Sequence, residues 1–158
     1  MDNMQIDKVK VLIQSLPHAI GLDYPAYGSQ GAAGMDLTAA IDENANMMIE
    51  AGKHALVPTG IAISLPFGYE AQIRARSGLA LKYGLAVLNA PGTVDCDYRG
   101  EIKVILINLG EEKIEISRGM RIAQMVVTRY SQVEWEACRD GLPASIRGQD
   151  GFGSTGTA

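Results

Sequence analysis

Cysteine is scarce in this sequence. Cys96 and Cys138 are too few for a disulfide framework, and their spacing matches no zinc pattern, so both read as reduced thiols. Long hydrophobic runs are also lacking: none exceeds Val104 to Ile107, against the roughly 20 apolar residues a membrane helix needs. The start, MDNMQIDKVKVLIQ, interleaves acids with lysines and has no basic segment followed by an apolar stretch and a small-residue cleavage site. The expectation is therefore a cytoplasmic chain without an export signal. Positive charge is in short supply as well, and a formal net charge of −4 gives no long-range attraction for nucleic acid or an acidic membrane. An anionic ligand would have to be met by locally placed arginines or by a metal.

What is there is enough for a core. A chain of 158 residues, 47% hydrophobic, fits one domain that removes most of its apolar surface from water. Its 20% of charged residues is slightly low, which burial in an oligomer would explain. Short apolar or alternating runs separated by glycine, proline and aspartate give the rhythm of an all-β sandwich or barrel. Strands are expected at Val9 to Ile13, Met47 to Glu50, Lys53 to Pro58, Gly60 to Leu65, Tyr69 to Ala75, Glu101 to Leu109, Lys113 to Ile116 and Arg121 to Tyr130, with a last short one at Val133 to Ala137. Leu79 to Tyr83 is the candidate for a single short helix. Beyond Arg139 the periodicity fades, and the glycine-rich stretch Gly141 to Ala158 reads as a mobile tail. The expected division is thus a β domain over residues 1–140 and a C-terminal segment over 141–158.

Several stretches could carry chemistry. Leu88 to Asn108, LNAPGTVDCDYRGEIKVILIN, reads as a β-hairpin whose end exposes Asp95, Asp97 and Tyr98. Two acids there could serve as a base or hold a metal, although aspartate favours turns in any case. In Gly31 to Ala40, Asp36 follows a run of small residues that permits close backbone approach. Arg76-Ser77-Gly78 ends an alternating strand and could offer N–H groups and a hydroxyl to an anion, or Ser77 could simply cap the helix. Gln124 shares a polar face with Arg121. Gly148 to Gly156, GQDGFGSTG, could wrap a phosphate but lacks the lysine of a Walker loop; the alternative is a loose terminus. Phe152, isolated among glycines, has nothing local to pack on. His18 and His54 have no partner at useful spacing, and Cys96 has no histidine near it in sequence.

Taken in order, five stretches resemble the motifs of the homotrimeric dUTPases: AAGMDLTA (Ala32 to Ala39), ARSGLA (Ala75 to Ala80), GTVDCDYRGEI (Gly92 to Ile102), RGMRIAQMV (Arg118 to Val126) and RGQDGFGSTG (Arg147 to Gly156). The resemblance implies an all-β jelly roll with one short helix and a flexible glycine-rich tail. Three copies would build three active sites at their interfaces. The implied reaction is hydrolysis of dUTP to dUMP and pyrophosphate, with Mg²⁺ held mainly by the triphosphate and water, and with neither nucleic acid nor membrane as a partner.

By the same resemblance Asp95 is the general base for the water that attacks the α-phosphorus. Asn89, Thr93, Val94 and Asp95 read the uracil edge, Lys103 contributes mainly through its backbone, and Tyr98 packs on deoxyribose and leaves no room for a 2′-hydroxyl. Arg76, Ser77, Gly78 and Gln124 bind phosphate oxygens, and Asp36 supports the metal through water. Phe152 stacks over uracil while Arg147, Gly153, Ser154 and Thr155 close on the phosphates, which makes the tail a lid. Asp97 is left as a turn residue. The chain departs from the family pattern at Gln149-Asp150, where small residues are frequent, and at Cys96, where serine is usual; Asp150 beside a triphosphate would weaken closure. Two other readings compete: a dCTP deaminase of the same fold, and a catalytically silent trimeric nucleotide-binding protein. The Asp95 to Tyr98 hairpin and the Phe152 tail favour the dUTPase reading.

Overall fold

The computed structural model describes residues 7–139, 141–146 and 148–149. In chain order the elements are β1 (Leu12–Ser15), β2 (Met35–Thr38), β3 (Met47–Ile49), β4 (His54–Pro58), β5 (Ile61–Ser64), β6 (Tyr69–Arg74), α1 (Ser77–Tyr83), β7 (Leu85–Val87), β8 (Gly92–Val94), β9 (Lys103–Asn108), β10 (Ile114–Ile116) and β11 (Arg121–Arg129), with a 3-10 turn at Pro17–Ala19. The strands pair antiparallel in four sheets, ordered β2-β11-β6-β8, β4-β9-β7, β1-β5 and β10-β3. This is the all-β fold with one short helix that the strand rhythm predicts.

Side-chain alternation explains the two larger sheets. In β6, Ala71 and Ile73 are buried while Arg74 is exposed and Glu70 and Gln72 lie between. β9 is flanked on both edges, and its apolar run buries Val104, Leu106 and Asn108. Leu37, Ile73, Val94 and Met125 of the first sheet join Val57, Leu85, Val104 and Leu106 of the second in one continuous core. Burying each Leu or Ile side chain fully is worth about 1.5–3 kcal/mol, so this shared core is what holds the sheets in fixed relation.

Buried polar groups fasten the connections. Asn108, fully buried, donates from Nδ2 to the carbonyls of Ile49 (2.9 Å) and Glu112 (2.8 Å) and accepts from the Gly110 N–H (2.9 Å). The Arg118 guanidinium donates to the carbonyls of His18 (2.8 Å), Ile41 (2.7 Å) and Ile20 (2.9 Å), which ties the long connection between β1 and β2 to the turn before β11. Among the described residues no fully buried side-chain nitrogen or oxygen lacks a partner.

Three expectations need correction. The first strand lies at Leu12–Ser15 rather than Val9 to Ile13, because its ladder is set by β5, in which Ile61 pairs with Ser15 and Ser64 with Leu12. Val133 to Ala137 forms no strand: the segment pairs with no strand among the described residues and leaves Val133 and Trp135 exposed. Leu88 to Asn108 is not one simple hairpin. Its C-terminal arm β9 pairs with β7, which ends just before Leu88, with Val87 opposite Leu106, but β8 leaves them to pair with β6 in the other sheet. The motif therefore bridges two sheets.

Candidate active site

Two separate pockets collect most of the residues singled out in the sequence. The first, about 300 Å³, is lined by Asp36, Arg76, Ser77, Gly78, Leu79 and Gln124. Strand pairing creates it: in β11, Gln124 stands opposite Asp36 of β2 on one side and Arg74 of β6 on the other. A register shift between Arg121 and Ala123 against β2 buries Ile122 and Ala123 in succession, and this bulge aims Arg121 back at Asp36. The Asp36 carboxylate accepts from Arg76 Nε (2.8 Å) and from Arg121 Nη1 (3.2 Å). Gln124 Nε2 donates to the Ala75 carbonyl at 2.9 Å. A Cβ at Gly34 would lie 2.4 Å from Gln124 Oε1, so the small residue before Asp36 makes room for the amide.

Ser77 is exposed and is the first residue of α1; the helix is capped by Arg76 without a side-chain hydrogen bond, which corrects the reading of Ser77 as the cap. First-turn N–H groups have no partner within a helix, so Ser77 and Gly78 present donors to the pocket they line. Two guanidiniums, a hydroxyl, an amide and free N–H groups around one carboxylate make a site for an anion with several oxygens.

The second pocket, about 310 Å³, is lined by Leu56, Thr93, Val94, Asp95, Tyr98, Glu101, Ile102 and Lys103. β8 carries Thr93 and Val94 and is followed by Asp95, whose carbonyl accepts the Tyr98 N–H at 3.1 Å in a turn. The Asp95 side chain is exposed and makes no ion pair or hydrogen bond among the described residues. Tyr98 donates its hydroxyl to the Glu101 carbonyl at 3.0 Å, and its ring lies against Gly100, where a Cβ would sit 2.4 Å from the phenolic oxygen. Lys103 Nζ is 3.6 Å from Glu101 Oε2. Behind the turn, Cys96 Sγ lies 3.7 Å from Tyr130 Oη, and this hydrogen bond, with the nearby Asp95 and Asp97, raises the Tyr130 phenol above its ordinary value.

Asn89 lines neither pocket; its amide packs near Gly92 at the start of β8. Arg147, Phe152, Gly153, Ser154 and Thr155 lie outside the described residues, as does Asp150. No residue lines both pockets, so this single chain does not bring the two groups into one cleft. A larger cavity, about 590 Å³, lies between the end of α1 and the β9–β10 turn, but none of the sequence-predicted residues reaches it. Its wall mixes Lys82 and Lys113 with Glu111, Glu112 and Glu115 and favours no charge.

Sequence reading missed two residues here. Glu101 accepts from His18 Nε2 at 2.7 Å and from the Gly60 N–H at 2.9 Å, and His18 had been left without a partner. The pair is separated by 83 positions, and no local signal could have joined them.

The comparisons agree with one another. The dUTPase family model matches residues 22–156. Three curated relatives carry the name deoxyuridine 5′-triphosphate nucleotidohydrolase. That of Mesorhizobium japonicum is 57% identical over 90% of this chain and 88% of its own length; that of Rhizobium meliloti is 56% identical over 90% and 88%; that of Beijerinckia indica is 54% identical over 93% and 91%. Among solved structures, the dUTPase of Staphylococcus bacteriophage 80alpha with dUPNHPP superposes with a TM-score of 0.83 at 23% identity, covering 94% of this chain and 99% of that one. A D95N mutant dUTPase of the S. aureus phage phi11, described with a structural Mg(II) ion, gives 0.73 at 19% identity over 83% and 97%. At such identities these structures establish the jelly-roll-like fold.

Proposed function

This chain belongs to the dUTPase family, and from that premise we propose that it hydrolyses dUTP to dUMP and pyrophosphate, with Asp95 activating the water that attacks the α-phosphorus. The observation that carries the reading onto this chain's own residues is the Asp95 carboxylate, exposed and without a side-chain partner among the described residues, at the rim of a pocket walled by Thr93, Val94, Tyr98 and Lys103. An unpaired carboxylate is available to a water. General-base help of this kind contributes about 10²–10⁴-fold.

In this reading Asn89 and the β8 backbone from Thr93 to Asp95 recognise the uracil edge, with Lys103 opposite. Tyr98, held by the Glu101 carbonyl, packs on the deoxyribose where a 2′-hydroxyl would go. Arg76, Ser77, Gly78 and Gln124 take the phosphate oxygens. Arg147 and Gly153 to Thr155 close over them while Phe152 covers the base, which keeps bulk water from the reacting phosphorus. The attacking water loses its proton to Asp95, the bond from the α-phosphorus to the bridging oxygen breaks, and pyrophosphate leaves. The reaction removes dUTP from the pool open to DNA synthesis and supplies dUMP.

The donor set suits Mg²⁺ of a particular kind. Among the described residues no three His, Cys, Asp or Glu side chains cluster as a cage, and Asp36 is the one carboxylate lining the Arg76 pocket. Magnesium usually keeps several waters and takes few protein ligands beside substrate phosphates, so Asp36 would hold it through a bound water. When bound, the ion neutralises charge along the triphosphate.

A homotrimer accounts for the separation of the two pockets, with the hairpin pocket of one chain completed by the Arg76 pocket of another. The exposed Val133, Trp135, Leu142 and Ile146 beyond β11 support extensive contact between copies. The cytoplasm, where a nucleotide pool is met, is the compartment this activity implies.

Offering the purified chain dUTP, dCTP, dTTP and UTP with Mg²⁺ tests the proposal. Pyrophosphate and dUMP should form in equal amounts from dUTP and far more slowly from the others. Release of ammonia from dCTP would contradict the assignment.

A further inference from the structure

We propose that Glu101 is a positioning residue that sets the sugar-facing wall of the hairpin pocket, an inference that rests on the function proposed above. Its side chain is only 13% exposed although it lies in a polar turn, and a carboxylate withdrawn that far from water needs specific partners. It has them on three elements. Oε1 accepts from the Gly60 N–H (2.9 Å) between β4 and β5 and from His18 Nε2 (2.7 Å) in the 3-10 turn, while Oε2 faces Lys103 Nζ (3.6 Å) at the start of β9.

The same residue holds the pocket through its backbone. The Glu101 carbonyl accepts the Tyr98 hydroxyl at 3.0 Å, and the next residue, the buried Ile102, donates its N–H to Ile61 (2.9 Å) and accepts at its carbonyl from Thr59 Oγ1 (2.5 Å). The carboxylate thus locks the segment carrying the acceptor for Tyr98 onto the β4–β5 turn, and it pairs with Lys103, which lines the same pocket. The Asp95 side chain is touched by none of this; only its carbonyl meets the segment, accepting the Tyr98 N–H at 3.1 Å. Asp95 follows β8, whose Val94 pairs with Ala71 of β6 in the other sheet.

This division predicts how rate and affinity separate. Loss of the Glu101 carboxylate should loosen the walls that contact base and sugar but leave the general base in place. Full-length wild type, Glu101→Ala, Glu101→Gln and His18→Ala should be assayed for kcat and KM with dUTP and with UTP. For Glu101→Ala the KM for dUTP should rise about tenfold with kcat within about threefold, and preference for dUTP over UTP should fall about tenfold, as expected for lost fixed hydrogen bonds. Glu101→Gln keeps an acceptor for Gly60 and His18 and should recover most of both. An unchanged KM and preference in Glu101→Ala, a loss confined to kcat, or no recovery in Glu101→Gln would overturn the inference. Should Glu101→Ala not fold, His18→Ala decides: a severalfold rise in KM supports the inference and an unchanged KM overturns it. A wild-type chain that fails to hydrolyse dUTP would instead overturn the underlying function.

Discussion

Asp36 receives two guanidiniums, Arg76 at 2.8 Å and Arg121 at 3.2 Å, yet the side chains are 26% to 62% exposed. Ion pairs of that exposure contribute about 0.2–1 kcal/mol, so their main consequence is orientation: they hold Arg76 ready beside Gln124. Gln124 is held in turn by the Ala75 carbonyl and by the space Gly34 leaves. Gly34 lies outside the left-handed region, so alanine fits its backbone, and the added Cβ crowds the Gln124 side chain, most closely at its amide oxygen. Gly34→Ala should therefore lower kcat/KM for dUTP about tenfold by displacing Gln124 from the phosphate-binding role proposed for it. The melting temperature should move by less than about 2 °C, because no core group is lost. A large drop in melting temperature with intact kcat/KM would show that Gly34 serves the fold and not the site. At this scale the sequence singles out Asp36, Arg76 and Gln124 as candidates but not what holds them, because their contacts cross 40 to 85 positions.

Among elements, β6 was readable because one face is buried and the other wet, so Ala71 and Ile73 alternate with Glu70, Gln72 and Arg74. β9 was readable from its apolar run. β8 was not, since three residues beginning with glycine carry no period, and which sheet they join depends on β6, about twenty positions earlier. Val133 to Ala137 misleads for the converse reason: it has strand-like composition and pairs with no strand among the described residues. The described residues from Ser131 onward are exposed, with Leu142 86% exposed and Ile146 fully exposed. Deleting residues 148–158 should accordingly reduce turnover of dUTP at least about 100-fold, as loss of a closing lid does, while the melting temperature shifts by only a few degrees. Thermal unfolding beside a pyrophosphate assay checks this. A loss of stability matching the loss of activity would show that the tail braces the fold.

For the whole molecule, the decisive feature is that the Arg76 pocket and the Asp95 pocket share no residue. In the homotrimer proposed above each complete site draws on more than one copy, and inactive chains with different lesions should rescue each other. Asp95→Asn and Arg76→Ala chains, each refolded alone, should turn over dUTP at least about 100-fold more slowly than wild type. Refolded together in equal amounts, they should regain about a quarter of wild-type activity, since random assortment in a closed ring puts an intact Asp95 against an intact Arg76 at that frequency. Activity of the co-refolded mixture is the one measurement to make: recovery is what this account predicts, and a mixture as inactive as its parents, or an Asp95→Asn chain that turns over dUTP normally, would contradict it.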